Sequence, residues 1–162
     1  DTIVTWSLPT VPISLWLNAL MGGPLLAAIT LYAAQWRALA GRFGLLLMTV
    51  PFIAFAANMV VYIVQGRLLN GIANSVLAAA DLVPHYRTML LAFALMCFAG
   101  CVLAAFTMHV VSREAVVRGG DELAFSKRVL VRLLVSCLLV FAGIFVMRFA
   151  FYMMHLTVGL AV

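Results

Sequence analysis

The stretch TMLLAFALMCFAGCVLAAFTMHVV, residues 88–111, contains no Asp, Glu, Lys or Arg. About 20 apolar residues in a helix are enough to cross the hydrocarbon core of a bilayer. Three further stretches are similarly apolar, over residues 11–34, 43–64 and 129–158. Because backbone groups in lipid must find their hydrogen bonds within the segment, each stretch is predicted to be a helix. The sequence therefore predicts an all-α polytopic membrane protein, with four transmembrane helices in one domain over residues 1–162.

The composition excludes an ordinary soluble domain. Of the 162 residues, 67% are hydrophobic and 9% are charged, and the mean hydropathy is +1.19. Soluble domains are about half apolar and about a quarter charged. A soluble chain of this size could not bury so much apolar surface. The net charge of +5 does not indicate nucleic-acid binding, because no basic face is interleaved with aromatic residues.

The Lys and Arg residues are concentrated in two of the three connections between the apolar stretches. The first connection, residues 35–42, and the third connection, residues 112–128, lie on the same side of the membrane. The opposite side has only Arg67 and Arg87 in its connection. Basic loops face the cytoplasm, so both ends of the chain are expected to face outward. The seven residues on the basic side are Arg37, Arg42, Arg113, Arg118, Lys127, Arg128 and Arg132.

The segment between the second and third stretches is amphipathic. Apolar residues recur at helical spacing over about residues 66–80, and polar residues occupy the other side. This pattern predicts a short helix lying on the membrane surface. Pro84 is expected to end it. The apolar positions are Leu68, Leu69, Ile72, Val76 and Leu77.

Arg148, Tyr152 and His155 are spaced i, i+4 and i+7, so they are predicted to share one face of the fourth helix. A charge near the middle of a membrane helix costs at least about 2.5–3.5 kcal/mol, which predicts a bundle-facing arginine with a partner. One interpretation is a polar path for a proton or a polar headgroup. The other is an arginine that binds free carbonyls and only locks the bundle. The residues alone leave both open.

Two proline-containing regions, one in the first helix and one in the second, are further candidates for a ligand site. Pro24 removes a backbone hydrogen bond from the first helix, and Gly22 and Gly23 beside it allow close approach of another helix or of a flat ligand ring. Asn58 and Gln65 form a polar stripe on the second helix, which also contains a proline at position 51. These residues are candidates for a ligand site or for close packing.

The sequence predicts neither a metal site nor a haem in this chain. Cys97, Cys101 and Cys137 lie inside apolar stretches without metal-ligand spacing, and are predicted to be packing residues. A haem needs two histidines at the same depth on facing helices. Only His85 and His155 match in depth, and the first follows a proline at a loop edge. No nucleophile–base arrangement or phosphate-binding loop is present, so no catalytic residue is predicted.

Several motifs resemble the membrane-anchor subunit of bacterial dimethyl sulfoxide reductase. They occur in the family's order and span nearly the whole chain, and Arg148 stands where that family also has an arginine. The opening residues Asp1-Thr2 and Thr5-Trp6 are similar to a mid-chain segment of the family. The other motifs are Met21-Gly22-Gly23-Pro24-Leu25-Leu26, Gln65-Gly66, Leu82-Val83-Pro84 followed by Tyr86, Phe151-Tyr152 with His155, and Thr157-Val158-Gly159.

The resemblance implies an eight-helix anchor in the bacterial inner membrane, with both ends on the periplasmic side, of which this chain resembles the second four helices. It implies that the anchor binds menaquinol and holds no haem. It also implies two partner subunits: an iron–sulfur subunit with four clusters that receives the electrons, and a catalytic subunit with a molybdenum bis-guanine-dinucleotide cofactor. The His and Glu that the family uses in quinol oxidation belong to its N-terminal half. A role for Arg148, Tyr152 and His155 in lining the quinol site is our own hypothesis.

Two alternatives stay open beside this interpretation. The chain is a purely structural anchor if the quinol site lies wholly in the N-terminal half. It is half of a small membrane transporter if its kinked helices and Arg148 line a substrate path. A transporter predicts an inverted repeat, and the Gly-Gly-Pro motif of the first helix has no counterpart in the third or fourth.

Overall fold

The computed structural model describes residues 8–69, 71, 80–81, 83–117 and 126–158, without the side chains of Arg37 and of residues 154–158. The described residues form four long helices and a short 3-10 turn at Arg37–Ala40, with no strand among them. All four helices are long and apolar enough to span a membrane. The prediction of an all-α fold with four membrane helices is confirmed. The helices are α1 Thr10–Ala33, α2 Arg42–Leu69, α3 Tyr86–Val117 and α4 Lys127–Val158.

The helices extend past the apolar stretches at some ends. Helix α2 continues from residue 64 to Leu69, and α3 continues from residue 111 to Val117. Hydropathy marks the length inside the hydrocarbon, whereas a helix can continue through the headgroup layer with its polar side chains turned to water. Residues 66–69, expected to begin the surface helix, therefore form the last turn of α2. Of the rest of that predicted helix, residues 71 and 80 form turns, and residues 70 and 72–79 lie outside the described residues.

The four helices pack in a ring in which each contacts its neighbours in sequence and α4 returns to contact α1. Successive helices run in opposite directions, as short connections require. We call the end formed by Ala33, Arg42, Val117 and Lys127 the basic end, and the end formed by Thr10, Leu69, Tyr86 and Val158 the terminal end. This arrangement brings the starts of α1 and α3 beside the ends of α2 and α4.

Small residues allow α3 and α4 to approach closely. A Cβ on Gly100 would lie 2.7 Å from the Ser136 carbonyl oxygen, and one on Gly143 would lie 2.6 Å from Cys97 Sγ. The Cys97 thiol also lies 3.6 Å from the Val140 carbonyl oxygen, to which it donates a weak hydrogen bond. Helix association in lipid depends on such close packing, because lipid tails are as apolar as the helix surfaces.

The basic end is closed by backbone capping and one cross-helix contact. Helix α1 ends with Gln35 in the left-handed region at φ 54°. The amides of Gln35 and Trp36 donate to the carbonyls of Tyr32 and Leu31, which is the Schellman arrangement of a helix end. The Tyr32 hydroxyl accepts a 2.9 Å hydrogen bond from the Ser126 amide, just before α4.

Candidate functional site

A hydrogen-bonded cluster of polar side chains lies inside the bundle, in the half nearer the terminal end. The Asn58 side-chain nitrogen donates to Asn18 Oδ1 at 2.6 Å, and the Asn18 side-chain nitrogen donates to the Tyr62 hydroxyl at 3.3 Å. All three side chains are buried. Asn18 comes from α1 and the other two from α2, so the cluster joins two helices. We call these three residues the asparagine cluster.

Helical spacing explains why these residues meet. Ser14 and Asn18 are four residues apart on the buried face of α1. Asn58, Tyr62 and Gln65 follow at i, i+4 and i+7 on the buried face of α2. A polar side chain in lipid is costly without a hydrogen-bond partner. Turning both faces inward pairs the amides with each other and keeps them out of the hydrocarbon.

Arg148 reaches the same region from α4. Its Nη2 lies 3.4 Å from Ser14 Oγ and donates to it, and the Ser14 hydroxyl donates in turn to the Val11 carbonyl at 2.9 Å. Arg148 as a whole is half-buried. The arrangement places one positive charge at the edge of the hydrogen-bonded amides, between α1 and α4.

Tyr152 does not join this region. Its side chain is 58% exposed on the outer surface of α4, and its ring meets that of Phe151 edge to face at 5.7 Å between centroids. Four residues advance a helix by about 400°, so Tyr152 lies about 40° beyond Arg148 and farther from the buried face. Arg148 and Tyr152 therefore lie on one side of α4, as predicted, but Tyr152 is turned away from the bundle. The side chain of His155, the third member, lies outside the described residues.

The Gly-Gly-Pro motif serves packing at its first position. A Cβ on Gly22 would lie 2.8 Å from Cζ of Phe141, so this glycine lets α4 approach α1. Gly23 has nothing within 4 Å of its Cβ position, and it faces outward. Pro24 is half-buried inside α1. The motif is therefore not brought together with the asparagine cluster as one ligand pocket, although Met21 beside it lies 3.7 Å from the Asn58 amide nitrogen.

A further cross-helix hydrogen bond joins α3 to α2 beside this region. The Tyr86 hydroxyl donates to the Tyr62 carbonyl at 2.8 Å. Its ring lies directly over Gly66, where a Cβ would come within 2.7 Å of Tyr86 Cε1. Gly66 is thus required for the close approach that the hydrogen bond needs. The neighbouring candidate Gln65 is buried, at 5% exposure.

Two buried oxygens have no hydrogen-bond partner among the described residues. They are Asn58 Oδ1, beside the asparagine cluster, and Thr10 Oγ1, at the start of α1. Buried polar atoms are nearly always paired with protein groups or ordered water. Asn58 Oδ1 is therefore an acceptor that the described residues leave unused, inside the bundle.

Sequence reasoning identified Arg148, Asn58 and Gln65 but missed Ser14, Asn18, Tyr62 and Tyr86. A signal for two of them was present, because Thr10, Ser14 and Asn18 repeat every four residues in an otherwise apolar stretch. Tyr86 and Gly66 belong to motifs that carry the family resemblance, but their contact was not predicted because it joins two different helices. His85 and His109 are exposed, and no group of three metal-ligating side chains is formed among the described residues.

The chain is similar to known proteins along its whole length. The sequence model of the family described as DMSO reductase anchor subunit (DmsC) matches residues 1–154. The C subunit of anaerobic dimethyl sulfoxide reductase from Escherichia coli (strain K12) is 34% identical over 168 residues, covering 100% of this chain and 50% of that protein. The YnfH subunit of anaerobic dimethyl sulfoxide reductase from the same organism is 30% identical over 164 residues, covering 100% of this chain and 51% of that protein.

The chain spans about half the length of the curated relatives it matches. No solved structure matches it at a significant level. With four helices long and apolar enough to cross a bilayer, and a family match over nearly all of its residues, the chain is a multi-pass membrane protein that belongs to the family of DMSO reductase anchor subunits.

Proposed function

We propose that this chain is part of the membrane anchor of a dimethyl sulfoxide reductase complex in the bacterial inner membrane, and that the anchor binds menaquinol. The electrons pass to an iron–sulfur subunit and then to a molybdenum-containing catalytic subunit. The family match and the names of the two relatives support the anchor role. The excess of Lys and Arg at the basic end supports a periplasmic terminal end.

The observation that carries the quinol-binding proposal is the half-buried Arg148 beside the asparagine cluster. A quinol is a flat, mostly apolar headgroup with two hydroxyl groups. It requires an apolar groove with a few placed hydrogen-bonding groups. Arg148 supplies donors and a positive charge. The apolar side chain of Met21 lies beside these groups, 3.7 Å from the Asn58 amide nitrogen.

The chemistry assigned to this region is proton release. Oxidation of one menaquinol to menaquinone gives up two electrons and two protons. The positive charge of Arg148 stabilises the quinol anion that forms when a hydroxyl proton leaves. The Ser14 hydroxyl, bonded to Arg148, lies about 6 Å from the start of α1 at Thr10. Protons leave toward the terminal end, and the electrons leave to the iron–sulfur subunit.

A second candidate function is a purely structural anchor, in which the N-terminal half of the anchor holds the whole quinol site. The mutual hydrogen bonds of Asn18, Asn58 and Tyr62 favour it, because they lock α1 to α2 without any ligand. In this interpretation Arg148 only ties α4 to α1 through Ser14. The two functions predict different effects of changing Arg148.

The deciding experiment uses the intact complex with the full-length anchor and compares Arg148→Gln with Tyr152→Phe. Tyr152 is on the same helix but faces outward, so its variant is the control. If Arg148 contacts the quinol, Arg148→Gln weakens binding of a quinol-site inhibitor by about tenfold or more, as loss of a charged hydrogen bond predicts. Turnover with an artificial donor that reduces the iron–sulfur subunit directly stays unchanged. If Arg148→Gln keeps wild-type inhibitor affinity and wild-type menaquinol oxidation, Arg148 does not contact the quinol, and the purely structural function is supported.

The anchor role has its own test. The assembly is purified through this chain, its polypeptides are identified, and iron–sulfur and molybdenum signals are measured. We expect both signals together with two further subunits. A homo-oligomer that lacks both signals contradicts the proposed electron-transfer function.

A further inference from the structure

A cavity of about 350 Å³ opens at the terminal end, between the last turns of α2 and the first turns of α3. Gly66 and Tyr86 line it where the two helices touch. The residues that follow them in sequence, Arg67 and Arg87, line it as well. Both arginine side chains are exposed, so their charged groups are open to a ligand from outside the bundle.

The contact between Gly66 and Tyr86 explains why Arg67 and Arg87 line the same cavity. The Tyr86 ring lies over Gly66 and its hydroxyl bonds to the Tyr62 carbonyl at 2.8 Å. This contact holds the end of α2 against the start of α3. Arg67 and Arg87 are each one residue farther along their helices, so they are carried to the same cavity.

The charge of this cavity is not explained by membrane topology. Seven Lys and Arg residues belong to the basic side, whereas Arg67, in the last turn of α2, and Arg87, in the first turn of α3, flank the connection at the terminal end. Both of them line one cavity. Like charges at one cavity repel each other, and an anion bound in the cavity lowers that cost. Asp81 is in the same connection and has interactions of its own, which leaves a net charge of about +1 for the three side chains.

The cavity is apolar on the side toward the membrane centre. Ile63 lies one helical turn deeper than Arg67 on α2, and Leu90 lies about one turn deeper than Arg87 on α3. Ile63 is 41% exposed on the outer surface of the bundle. The cavity thus presents two cations at headgroup depth and an apolar wall below them. A phospholipid has the same order of groups, with its phosphate above its acyl chains.

We propose that this cavity binds an anionic phospholipid, with the phosphate between Arg67 and Arg87 and an acyl chain along Ile63 and Leu90. A neutral quinol has no need of two cations, so this site is separate from the proposed quinol region and does not depend on it. A second cavity, of about 390 Å³, lies at the basic end and includes His109 and Arg113. The positive charge of this second cavity is already expected from membrane topology, so it does not indicate a bound lipid.

The test uses the delipidated intact complex, and native mass spectrometry measures lipid binding. Dioleoyl phosphatidylglycerol is the anionic probe, and dioleoyl phosphatidylcholine is the zwitterionic probe. Each arginine near the membrane surface contributes about fivefold in affinity for anionic lipid. The variant Arg67→Gln/Arg87→Gln is therefore expected to bind phosphatidylglycerol about 30-fold more weakly. The control Arg42→Gln/Arg128→Gln removes two exposed arginines that do not line this cavity, and is expected to change binding by less than about twofold.

A charge-preserving variant and a competition experiment identify the class of ligand. Arg67→Lys/Arg87→Lys keeps both charges, so it is expected to retain most of the affinity, and it guards against a folding defect of the glutamine variant. Inorganic phosphate alone is expected not to displace bound phosphatidylglycerol, because it cannot use the apolar wall of Ile63 and Leu90. Equal binding of the two lipids, unchanged binding in the glutamine variant, or full displacement by inorganic phosphate overturns the proposal.

Discussion

The side-chain nitrogen of Asn58 donates to Asn18 Oδ1 over 2.6 Å, so that α2 and α1 are joined by a hydrogen bond inside an apolar bundle. Asn58 is fully buried. Two other buried hydroxyls, those of Thr107 and Ser136, bond to carbonyls of their own helices. The asparagine pair therefore helps to specify which helices are neighbours, whereas these two hydroxyl bonds do not.

The asparagine pair is expected to couple energetically. In a double-mutant cycle of Asn18→Leu and Asn58→Leu, we expect a coupling energy of about 0.6–1.7 kcal/mol, the range of hydrogen bonds between membrane helices. The measurement is the free energy of unfolding of the complex-bound anchor in detergent. A cycle is needed because Asn58→Leu also removes the unpaired Oδ1, which offsets part of its cost. Thr30→Val is the control partner, since Thr30 bonds only within α1, and an additive result is expected with it. Zero coupling between the asparagines contradicts the observed bond.

The glycines at positions 100 and 23 are expected to respond differently to alanine. A Cβ at Gly100 meets the Ser136 backbone oxygen at 2.7 Å, whereas one at Gly23 meets nothing within 4 Å. Backbone cannot turn aside as a flexible side chain can, so Gly100→Ala is expected to lower the free energy of unfolding by about 1–3 kcal/mol. Gly23→Ala is expected to be neutral or slightly stabilising, because alanine favours a helix. The thermal unfolding midpoint of the two variants checks this, and equal midpoints speak against the close approach of α3 and α4.

Tyr86 and Gly66 are expected to act as one unit. Tyr86→Phe loses the bond to the Tyr62 carbonyl and is expected to cost about 1 kcal/mol. Gly66→Ala forces the Tyr86 ring away and is expected to cost more, because it removes both the bond and the packing. In a Tyr86→Ala background the same Gly66→Ala change is expected to cost little, since the ring is gone. If Gly66→Ala costs as much in that background, the ring is not what Gly66 accommodates.

The two ends of the bundle are expected to face opposite compartments. Thr88 is exposed near the start of α3, and Glu114 is exposed near its end. In intact spheroplasts, a membrane-impermeant maleimide is expected to label Thr88→Cys but not Glu114→Cys, because basic loops stay in the cytoplasm. The unmodified chain is the control: its cysteines Cys97, Cys101 and Cys137 are at most 7% exposed, so little labelling is expected. Labelling of Glu114→Cys alone reverses the proposed orientation.

The sequence by itself determined the four helices, and its charge bias predicts on which side of the membrane the basic loops lie. A membrane span must be long and apolar, and its backbone must be satisfied within itself, so residues 88–111 specify a helix whatever surrounds them. The charge bias is likewise a property of the connections, and is visible before any packing is known. The resemblance carried by the Gly-Gly-Pro and Tyr152 motifs also indicated the family, which the family match then confirmed.

Only the tertiary structure decided which faces turn inward and which residues meet. All four helices are apolar on nearly every side, so hydrophobic periodicity cannot distinguish the face toward lipid from the face toward the bundle. The rotation of each helix is set by contacts between segments far apart in sequence, such as Asn18 with Asn58, and Gly66 with Tyr86. That rotation brings Arg148 to Ser14 and leaves Tyr152 outside. It also gathers Arg67 and Arg87 at one cavity, because the packing of two helices carries their neighbours with them.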